Sequence, residues 1–393
     1  MAREAASIVE ALVQNAERAP EKLCLRFEGE EWTYERLRGR VEAFATTLRS
    51  WGLRSGERVA FFLGNHPDFL TAYLGTHLAS GVVVPINTAY RHAELRHIFE
   101  DAGVRLCFTD EERRPELERV RGDLPQLEMV VETGEELDGF LEKAAAYEGE
   151  PPYSEDLAVI AYTSGTTGRS KGAMLLHRNL VANVEAIRRA WRWTAEDHLL
   201  LTLPLFHTHG LMVGAHGTFF VGASAELQRS FDAAEVYDVL LEGTSTMFFG
   251  VPTMYTRLLQ EAKSRDERPG PLRLYVSGSA ALSPEVFAKF QQEFGQRILE
   301  RYGMTETGMN LTNPYDEGKR RPGTVGRPFP GQEARIVGVE NREPLPAGEI
   351  GEIEVRGLHV FVGYRNRPDA TEESFDEEGW FRTGDLGFVD EDG

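Results

Sequence analysis

The chain has 393 residues and carries 63 Asp and Glu against 43 Lys and Arg, which gives a formal net charge of −20. Hydrophobic residues make up 41% of the chain and charged residues 27%, a globular composition that excludes disordered, collagen-like and membrane-spanning chains. So acidic a protein repels nucleic acid and anionic lipid, and neither is expected as a partner. An anionic ligand would need a local site made of backbone amides or a few placed cations.

Two cysteines, Cys24 and Cys107, lie in apolar surroundings outside any CxxC or Cys/His cluster, which predicts buried free thiols. The first 20 residues carry acids and no sustained apolar stretch, so no secretory signal is predicted. The longest apolar region, 211–223, is too short to span a bilayer. We therefore expect a cytoplasmic protein.

In chain order, apolar spacing predicts a helix at 8–16, a strand pair at 23–27 and 32–34, and a helix at 34–51. Continuous apolar runs of strand length recur at 58–63, 81–85, 106–109, 129–131, 157–163, 247–251, 272–277 and 298–299. Their alternation with helical patterns indicates βαβ units around sheets that are buried on both faces. The predicted class is α/β, with layered parallel sheets and flanking helices.

The pattern changes near Pro328, where short alternating strands at 333–337 and 349–355 are separated by Gly, Pro and acidic turns. This predicts a smaller β-rich subdomain over 328–393, after layered α/β subdomains over 1–327. The last residues, 390–393 (DEDG), are typical of a turn that joins two strands. We therefore expect the chain to be truncated.

A Gly-, Ser- and Thr-rich segment, 162–172 (YTSGTTGRSKG), follows the apolar run 157–161. Its glycines let backbone amides turn toward an oxyanion, and its side chains supply hydroxyls and one ammonium group. The groups suited to phosphate belong to Thr163, Ser164, Gly165, Thr166, Thr167, Gly168 and Lys171. Lysine is scarce, at six against 37 arginines, which favours a phosphate site over a merely flexible loop. The spacing matches neither GxxxxGK[ST] nor GxGxxG.

This segment resembles the signature loop of the adenylate-forming superfamily, which includes acyl-CoA synthetases, luciferases and peptide-synthetase adenylation domains. Further motifs follow in that family's order at 203–207 (LPLFH), 277–282 (SGSAAL), 301–307 (RYGMTET), 348–352 (GEIGE), 363–364 (GY) and 380–386 (WFRTGDL). The resemblance covers essentially the whole chain. It implies that a carboxylate reacts with ATP to give an acyl adenylate and pyrophosphate, with Mg²⁺ as cofactor, before the thiol of CoA attacks.

The resemblance also implies which residues bind ATP. Besides the phosphate loop, they are Ser279, Ala280, Arg301, Tyr302, Gly303, Thr305 and Asp385. The Tyr302 ring would lie on adenine, Thr305 would donate to the α-phosphate, and Asp385 would accept from both ribose hydroxyls. Glu306 and Thr167 would carry Mg²⁺, and the expected catalytic residues are Lys171, Thr305, Glu306 and His207. The simpler interpretations are a core aromatic for Tyr302, a surface acid for Glu306 and a turn-capping residue for Asp385.

On the acid side, the segments 206–211, 276–282 and 300–326 are especially similar to malonyl-CoA and methylmalonyl-CoA synthetases. The implied substrate residues are His207, Ser277, Gly278, Met304, Arg273 and Arg229. A second carboxylate in the acyl pocket needs a cation, and the candidates are Arg273, then Arg229, and the histidines of the segment 207–211 (HTHGL). A medium- or long-chain fatty acyl-CoA synthetase is the alternative.

The family's C-terminal small domain carries a lysine that acts in adenylation and much of the CoA tunnel. The resemblance implies that this chain is the isolated large domain and that the small domain is its missing intramolecular partner. Both half-reactions would then be weak. A nucleotide-binding fragment with little activity is thus a further alternative.

Overall fold

The computed structural model describes residues 5–141, 147–163 and 169–393. Its helices are α1 (Ile8–Arg18), α2 (Tyr34–Trp51), α3 (Pro67–Leu78), α4 (His92–Ala102), α5 (Arg114–Arg121), α6 (Glu135–Leu141), α7 (His177–Trp191), α8 (His216–Val221), α9 (Ala233–Glu242), α10 (Pro252–Ala262), α11 (Pro284–Phe294) and α12 (Pro368–Ser374). A π-helical segment, His209–Ala215, leads into α8, and a 3₁₀ turn covers Glu317–Lys319.

The strands follow the alternation expected from the apolar runs. They are β1 (Leu23–Phe27), β2 (Glu30–Thr33), β3 (Arg58–Phe62), β4 (Val82–Pro85), β5 (Val104–Thr109), β6 (Met129–Glu132), β7 (Leu157–Thr163), β8 (Lys171–Leu176), β9 (His198–Leu201), β10 (Ser224–Leu227), β11 (Met247–Gly250), β12 (Leu274–Ser277), β13 (Leu299–Met304), β14 (Gly308–Thr312), β15 (Arg327–Pro328), β16 (Glu333–Val337), β17 (Gly351–Arg356) and β18 (Phe381–Gly387).

Two large sheets and one small sheet hold these strands. The nine-stranded sheet has the order β15-β14-β13-β12-β11-β9-β10-β1-β2, and the six-stranded sheet has the order β6-β5-β3-β4-β7-β8. Neighbours are parallel except at the outer strands β2, β14, β15 and β8, which are antiparallel. The third sheet, β16-β17-β18, is antiparallel throughout. The predicted α/β class with a smaller β-rich part is confirmed, and the boundary at 327/328 stays a prediction.

Three hydrophobic cores lie between the layers of sheets and helices. The largest lies between the two large sheets and takes in α1, α2, α3, α7 and α8. The outer face of the six-stranded sheet packs on α4 and α5, and that of the nine-stranded sheet packs on α9, α10 and α11. Both large sheets are therefore buried on both faces, which explains why their strands are continuous apolar runs.

Local signals set the ends of α2. The Thr33 side chain accepts a hydrogen bond from Arg36 N at the first turn, and Gly52 ends the helix in the left-handed conformation with a φ of 97°. The predicted bounds, 34–51, are confirmed.

The predicted free thiols are also confirmed, since Cys24 and Cys107 are buried and unpaired. No helix within the described ranges is long and apolar enough to cross a membrane.

Candidate active site

Strands β7 and β8 contain the first and last residues of the predicted phosphate segment, Thr163 and Lys171. The two strands are antiparallel, and Thr163 on β7 lies directly opposite Lys171 on β8. The predicted loop residues outside the described ranges are Ser164, Gly165, Thr166, Thr167 and Gly168. Their phosphate and metal roles stay predictions, while the pairing of β7 with β8 brings the two flanking candidates together.

A second segment, 360–365, joins this strand pair to the turn between β13 and β14. Met174 N on β8 donates to Gly363 O at 3.0 Å, so the segment runs beside that strand. At its other end, Phe361 N donates to Glu306 O at 2.8 Å. Three parts of the chain that are far apart in sequence therefore meet around Glu306.

Glu306 lies at the centre of this meeting point. It is 5% exposed, and its Oε1 accepts a hydrogen bond of 2.9 Å from the Tyr364 hydroxyl. The Lys171 ammonium lies 4.3 Å from the centre of the same tyrosine ring. Burial raises the pKa of Glu306, whereas Tyr364, Lys171 and Thr163 each favour its charged form.

One buried carboxylate beside a cation suits a metal ion that arrives with a nucleotide. The described residues contain no group of three His, Cys, Asp or Glu side chains that could hold a metal alone. Mg²⁺ usually keeps several waters and binds through one or two carboxylates together with substrate phosphates. The environment of Glu306 therefore fits a magnesium ion shared with ATP.

The predicted adenine and ribose residues also lie together. The Tyr302 hydroxyl donates to Asp385 Oδ2 at 2.5 Å, which links β13 to β18. The adjacent residue must be glycine for a structural reason as well as to let a ligand approach. A Cβ at Gly303 would lie 2.1 Å from Gly308 O across the hairpin. The β13–β14 hairpin itself therefore requires this glycine.

A cleft opens beside Thr305 and His207. The rest of its lining is formed by Pro85, Asn87, Tyr90, Ala161, Tyr162, Phe206, Thr208, Leu211 and Met212. Residue His207 is exposed, but desolvation beside these walls lowers its pKa from an ordinary value of 6.5, which favours the neutral imidazole at pH 7. A neutral imidazole can donate a hydrogen bond to a carboxylate in the cleft.

Arg301 is a buried cation without a carboxylate partner among the described residues. It is 3% exposed, its Nη2 donates to Ser279 Oγ at 3.4 Å, and its Nε has no partner within the described ranges. Burial lowers the pKa of Arg301 to about 9, so the guanidinium stays charged at pH 7. Gly278 makes room for it, because a Cβ there would lie 2.3 Å from the guanidinium carbon.

Other buried polar groups of this region lack partners in the part of the chain that the structure describes. They include the Ser277 hydroxyl at the end of β12 and both ring nitrogens of His209. Burial and then the charge of Arg301 hold the pKa of His209 well below its usual value. Ser279 has a φ of 67°, which is uncommon for a residue other than glycine. Unpaired polar groups and local backbone strain often occur together at ligand sites.

Comparison with known proteins decides the family. A model of the AMP-binding enzyme family matches residues 12–365. The chain belongs to the AMP-binding enzyme family. This membership confirms the resemblance seen in the motifs.

Three relatives show how far the likeness extends. A malonate–CoA ligase of Arabidopsis thaliana is 36% identical over 87% of this chain and 59% of that protein. A sulfoacetate–CoA ligase of Cupriavidus necator is 37% identical over 87% of this chain and 67% of that protein. The crystal structure of ATP-bound MatB from Rhodopseudomonas palustris is 38% identical, with a TM-score of 0.93 over 99% of this chain and 77% of that chain. This chain therefore spans about three fifths of the Arabidopsis relative.

Arg273 does not lie at the cleft, which corrects the first expected acyl-pocket cation. Arg273 lies just before β12, and the loop of the cleft follows Ser277 at the other end of that strand. At about 3.3 Å per residue, Arg273 and Ser277 are roughly 13 Å apart. Its Nε and Nη2 donate to the two carboxylate oxygens of Asp197 at 2.8 and 2.9 Å. Arg273 therefore belongs to a structural ion pair at the opposite end of the strand.

Arg229, the second candidate, is also engaged elsewhere. Its guanidinium pairs with Glu28 at 2.5 Å and lies over the Phe27 ring, and its side chain is 60% exposed. This is a surface ion pair. Of the other candidates, Met304 is half-buried at the end of β13, and Ala280 is exposed after β12.

Two features of the site were not predicted. Tyr364 contacts Glu306, which lies 58 residues earlier, and the Gly-Tyr motif carries no sign of that contact. Arg301 was assigned to ATP through its motif, and its burial depends on how β13 packs. The available signal was a pair of charged residues, Glu300 and Arg301, after the apolar start of a predicted strand.

Proposed function

We propose that this chain is the nucleotide- and acid-binding part of an ATP-dependent acid–thiol ligase. Its substrate would be a small dicarboxylic acid, malonate or methylmalonate, which is activated as an acyl adenylate and transferred to CoA. The observation that carries the proposal is the buried guanidinium of Arg301, which has no carboxylate partner among the described residues and lies against the loop that follows β12.

The charge of Arg301 supports the dicarboxylate. An isolated buried cation costs several kcal/mol unless an opposite charge accompanies it. Arginine cannot lose its proton at neutral pH, so a ligand anion is the available compensation. The distal carboxylate of malonate would supply that anion, and Ser279 and Gly278 would frame it. The names of the malonate and sulfoacetate ligases support a substrate with two anionic groups, since both acids carry a second anionic group.

The reacting carboxylate would enter the cleft lined by His207 and Thr305. A carboxylic acid is already ionised at pH 7, so His207 need not act as a base. A neutral His207 would instead orient the carboxylate by donating a hydrogen bond. Thr305 would donate to the α-phosphate that the carboxylate attacks, which holds the two anions in line.

The nucleotide would lie across the three segments that meet at Glu306. Tyr302 and Asp385 would hold adenine and ribose, while Lys171 and the loop before it would neutralise the β- and γ-phosphates. Glu306 would hold Mg²⁺, and the ion would supply positive charge to the phosphate groups. Together these cations and donors lower the repulsion between an anionic acid and an anionic phosphate.

Calorimetry with non-hydrolysable acyl-adenylate analogues tests the proposal. Malonyl, butyryl and octanoyl analogues are titrated into the wild type, Arg301→Met and Arg273→Met. We expect the wild type to prefer the malonyl analogue. Arg301→Met should weaken malonyl binding by about 100-fold, as expected when one partner of a buried ion pair is lost. Butyryl binding should hold or improve.

Arg273→Met is the matched control, since it removes the same charge from the other end of β12. It should leave the ratio of malonyl to butyryl affinity unchanged. A wild type that prefers the octanoyl analogue would favour the fatty acyl alternative. Equal losses for both short analogues in Arg301→Met would overturn the role of Arg301, and a wild type that binds no analogue would overturn the proposed function.

A further inference from the structure

Tyr364 contacts both charged groups at the centre of the candidate nucleotide site. Its hydroxyl donates to Glu306 Oε1 at 2.9 Å, and its ring face carries the Lys171 ammonium at 4.3 Å. An ammonium over an aromatic face is attracted by the ring, and more strongly where water is excluded. One side chain therefore contacts the expected metal-binding carboxylate and the expected phosphate-binding lysine.

The tyrosine itself is held firmly. It is 7% exposed, its backbone N donates to Thr371 Oγ1 at 2.9 Å, and it forms a β-bridge with Ala173 on β8. The Phe361 ring packs edge-on against it with 4.8 Å between the centroids. Its ring and hydroxyl are therefore fixed before any nucleotide arrives.

We propose that Tyr364 is a positioning residue for the magnesium–ATP site, a proposal that rests on the proposed function above. With Oε1 of Glu306 anchored, rotation of the carboxylate is restricted and its second oxygen keeps one direction. The same ring holds Lys171 on the side where β8 begins. Such outer partners of a metal-binding group commonly contribute 10- to 100-fold to metal affinity.

The chemistry of the contact distinguishes positioning from packing. A purely structural tyrosine needs a partner for its hydroxyl, and a backbone carbonyl would serve, as Glu267 O does for Tyr237 at 2.9 Å. Tyr364 instead donates to a buried carboxylate that has no ion-pair partner within 4.0 Å among the described residues. The hydroxyl thereby stabilises the charge of Glu306 directly, and Lys171 and Thr163 add to that effect.

Two substitutions separate the hydroxyl from the ring. Tyr364→Phe keeps the ring under Lys171 and removes the bond to Glu306, whereas Tyr364→Leu removes both. Calorimetry measures the affinity for ATP with Mg²⁺ and with EDTA. We expect Tyr364→Phe to reduce the gain in affinity from Mg²⁺ by about tenfold and to leave binding in EDTA unchanged. Tyr364→Leu should weaken binding in both conditions.

Tyr153→Phe is the matched control, because it removes a hydrogen bond of 2.9 Å between a tyrosine and Glu150 on an exposed surface. It should change neither affinity. Glu306→Gln provides a second test that does not depend on the stability of one variant. In that background, Tyr364→Phe should cause little further loss of the Mg²⁺ effect.

Three results would overturn the inference. Tyr364→Phe could lower the melting temperature yet keep the full Mg²⁺ effect, which would make the tyrosine structural. Its effect could also add fully to that of Glu306→Gln, which would show that it does not act through the carboxylate. A wild type that binds no magnesium–ATP would refute the proposed function as well, so the two failures are distinguishable.

Discussion

Arg273 and Arg301 lie near opposite ends of β12, and their charged groups have different partners. Arg273 makes two hydrogen bonds to the Asp197 carboxylate and a third, of 2.8 Å, to Trp191 O. Arg301 is more deeply buried, and its hydrogen bond to Ser279 is long, at 3.4 Å. One end of the strand has an ion pair between Arg273 and Asp197, whereas at the other end the described residues supply no carboxylate for Arg301. Arg301 lies at the carboxyl end of the parallel strands, where α/β proteins bind ligands.

Buried histidines differ from the buried Arg301 in how they avoid carrying a charge. His77, His177 and His216 lie together between the large sheets, and burial lowers the pKa of each. A histidine avoids the cost of burying a charge by losing its proton, which arginine cannot do. An unpaired buried arginine is therefore better evidence of an anionic ligand than an unpaired buried histidine.

The largest effect on stability is expected for Arg273→Met. The substitution leaves Asp197, whose side chain is 5% exposed, without its cation. We expect a loss of about 3 kcal/mol in the free energy of unfolding, at the low end for a broken buried pair because Arg273 is partly exposed. Urea unfolding followed by circular dichroism measures it. A loss below about 1 kcal/mol would place this pair with ordinary surface ion pairs and would weaken the comparison.

The next effect is expected for Gly278→Ala. The new Cβ would lie 2.3 Å from the guanidinium carbon of Arg301, so the side chain must move out of its place. We expect a loss of about 2 kcal/mol in stability, typical of overpacking a filled site, together with a loss of malonyl preference. Gly39→Ala is the control, since it lies in α2 with no atom within 4 Å of its Cβ position. That change should stabilise the protein by about 0.5–1 kcal/mol, and unfolding curves compare the two. An unaltered malonyl preference in Gly278→Ala would contradict the placement of Arg301.

The buried histidines predict a pH effect on stability. His77 has a pKa lowered by burial to about 4, below its ordinary value of 6.5, and its Nε2 donates to Ala158 O at 3.1 Å. Between these two values the unfolded chain binds a proton that the folded protein does not, so stability falls as pH drops from 6.5 toward 4. Each such histidine contributes about 1.4 kcal/mol per pH unit in this window. His77→Gln should reduce the slope by that amount in urea unfolding between pH 6 and 4.5, and an unchanged slope would show that His77 titrates normally.

Much of the fold was predictable because it depends on local patterns. Apolar patterns predicted most of the strands, and the helical spacing of apolar residues predicted the bounds of α2. Strand order was not predictable, since it depends on pairings between distant residues. The position of Arg273 was misjudged for a related reason. Closeness along the chain to the 277–281 loop suggested contact, but an extended strand carries its two ends apart.

Candidate site residues could be predicted where the motif itself contains the functional side chains. Thr305, Glu306 and Lys171 were assigned from such motifs, and the structure brings Lys171 and Glu306 to one tyrosine ring. The missing features were those created by packing. Neither the burial of Arg301 nor the contact between Tyr364 and Glu306 follows from residue type or spacing.

The smallest effect on stability is expected for Arg301→Met, and its sign is the most informative. In the unliganded protein Arg301 is buried with no carboxylate partner among the described residues, so its replacement by an apolar side chain of similar length removes a desolvation cost. Buried charges replaced by well-packed hydrophobic residues often leave a protein equally or more stable. We expect a change between zero and a gain of about 1 kcal/mol in urea unfolding, opposite in sign to Arg273→Met. Addition of the malonyl-adenylate analogue should reverse the order, because only the wild-type site gains stability from the ligand's distal charge. A loss of several kcal/mol in the unliganded variant would mean that Arg301 supports the fold, and the two ends of β12 would then be alike.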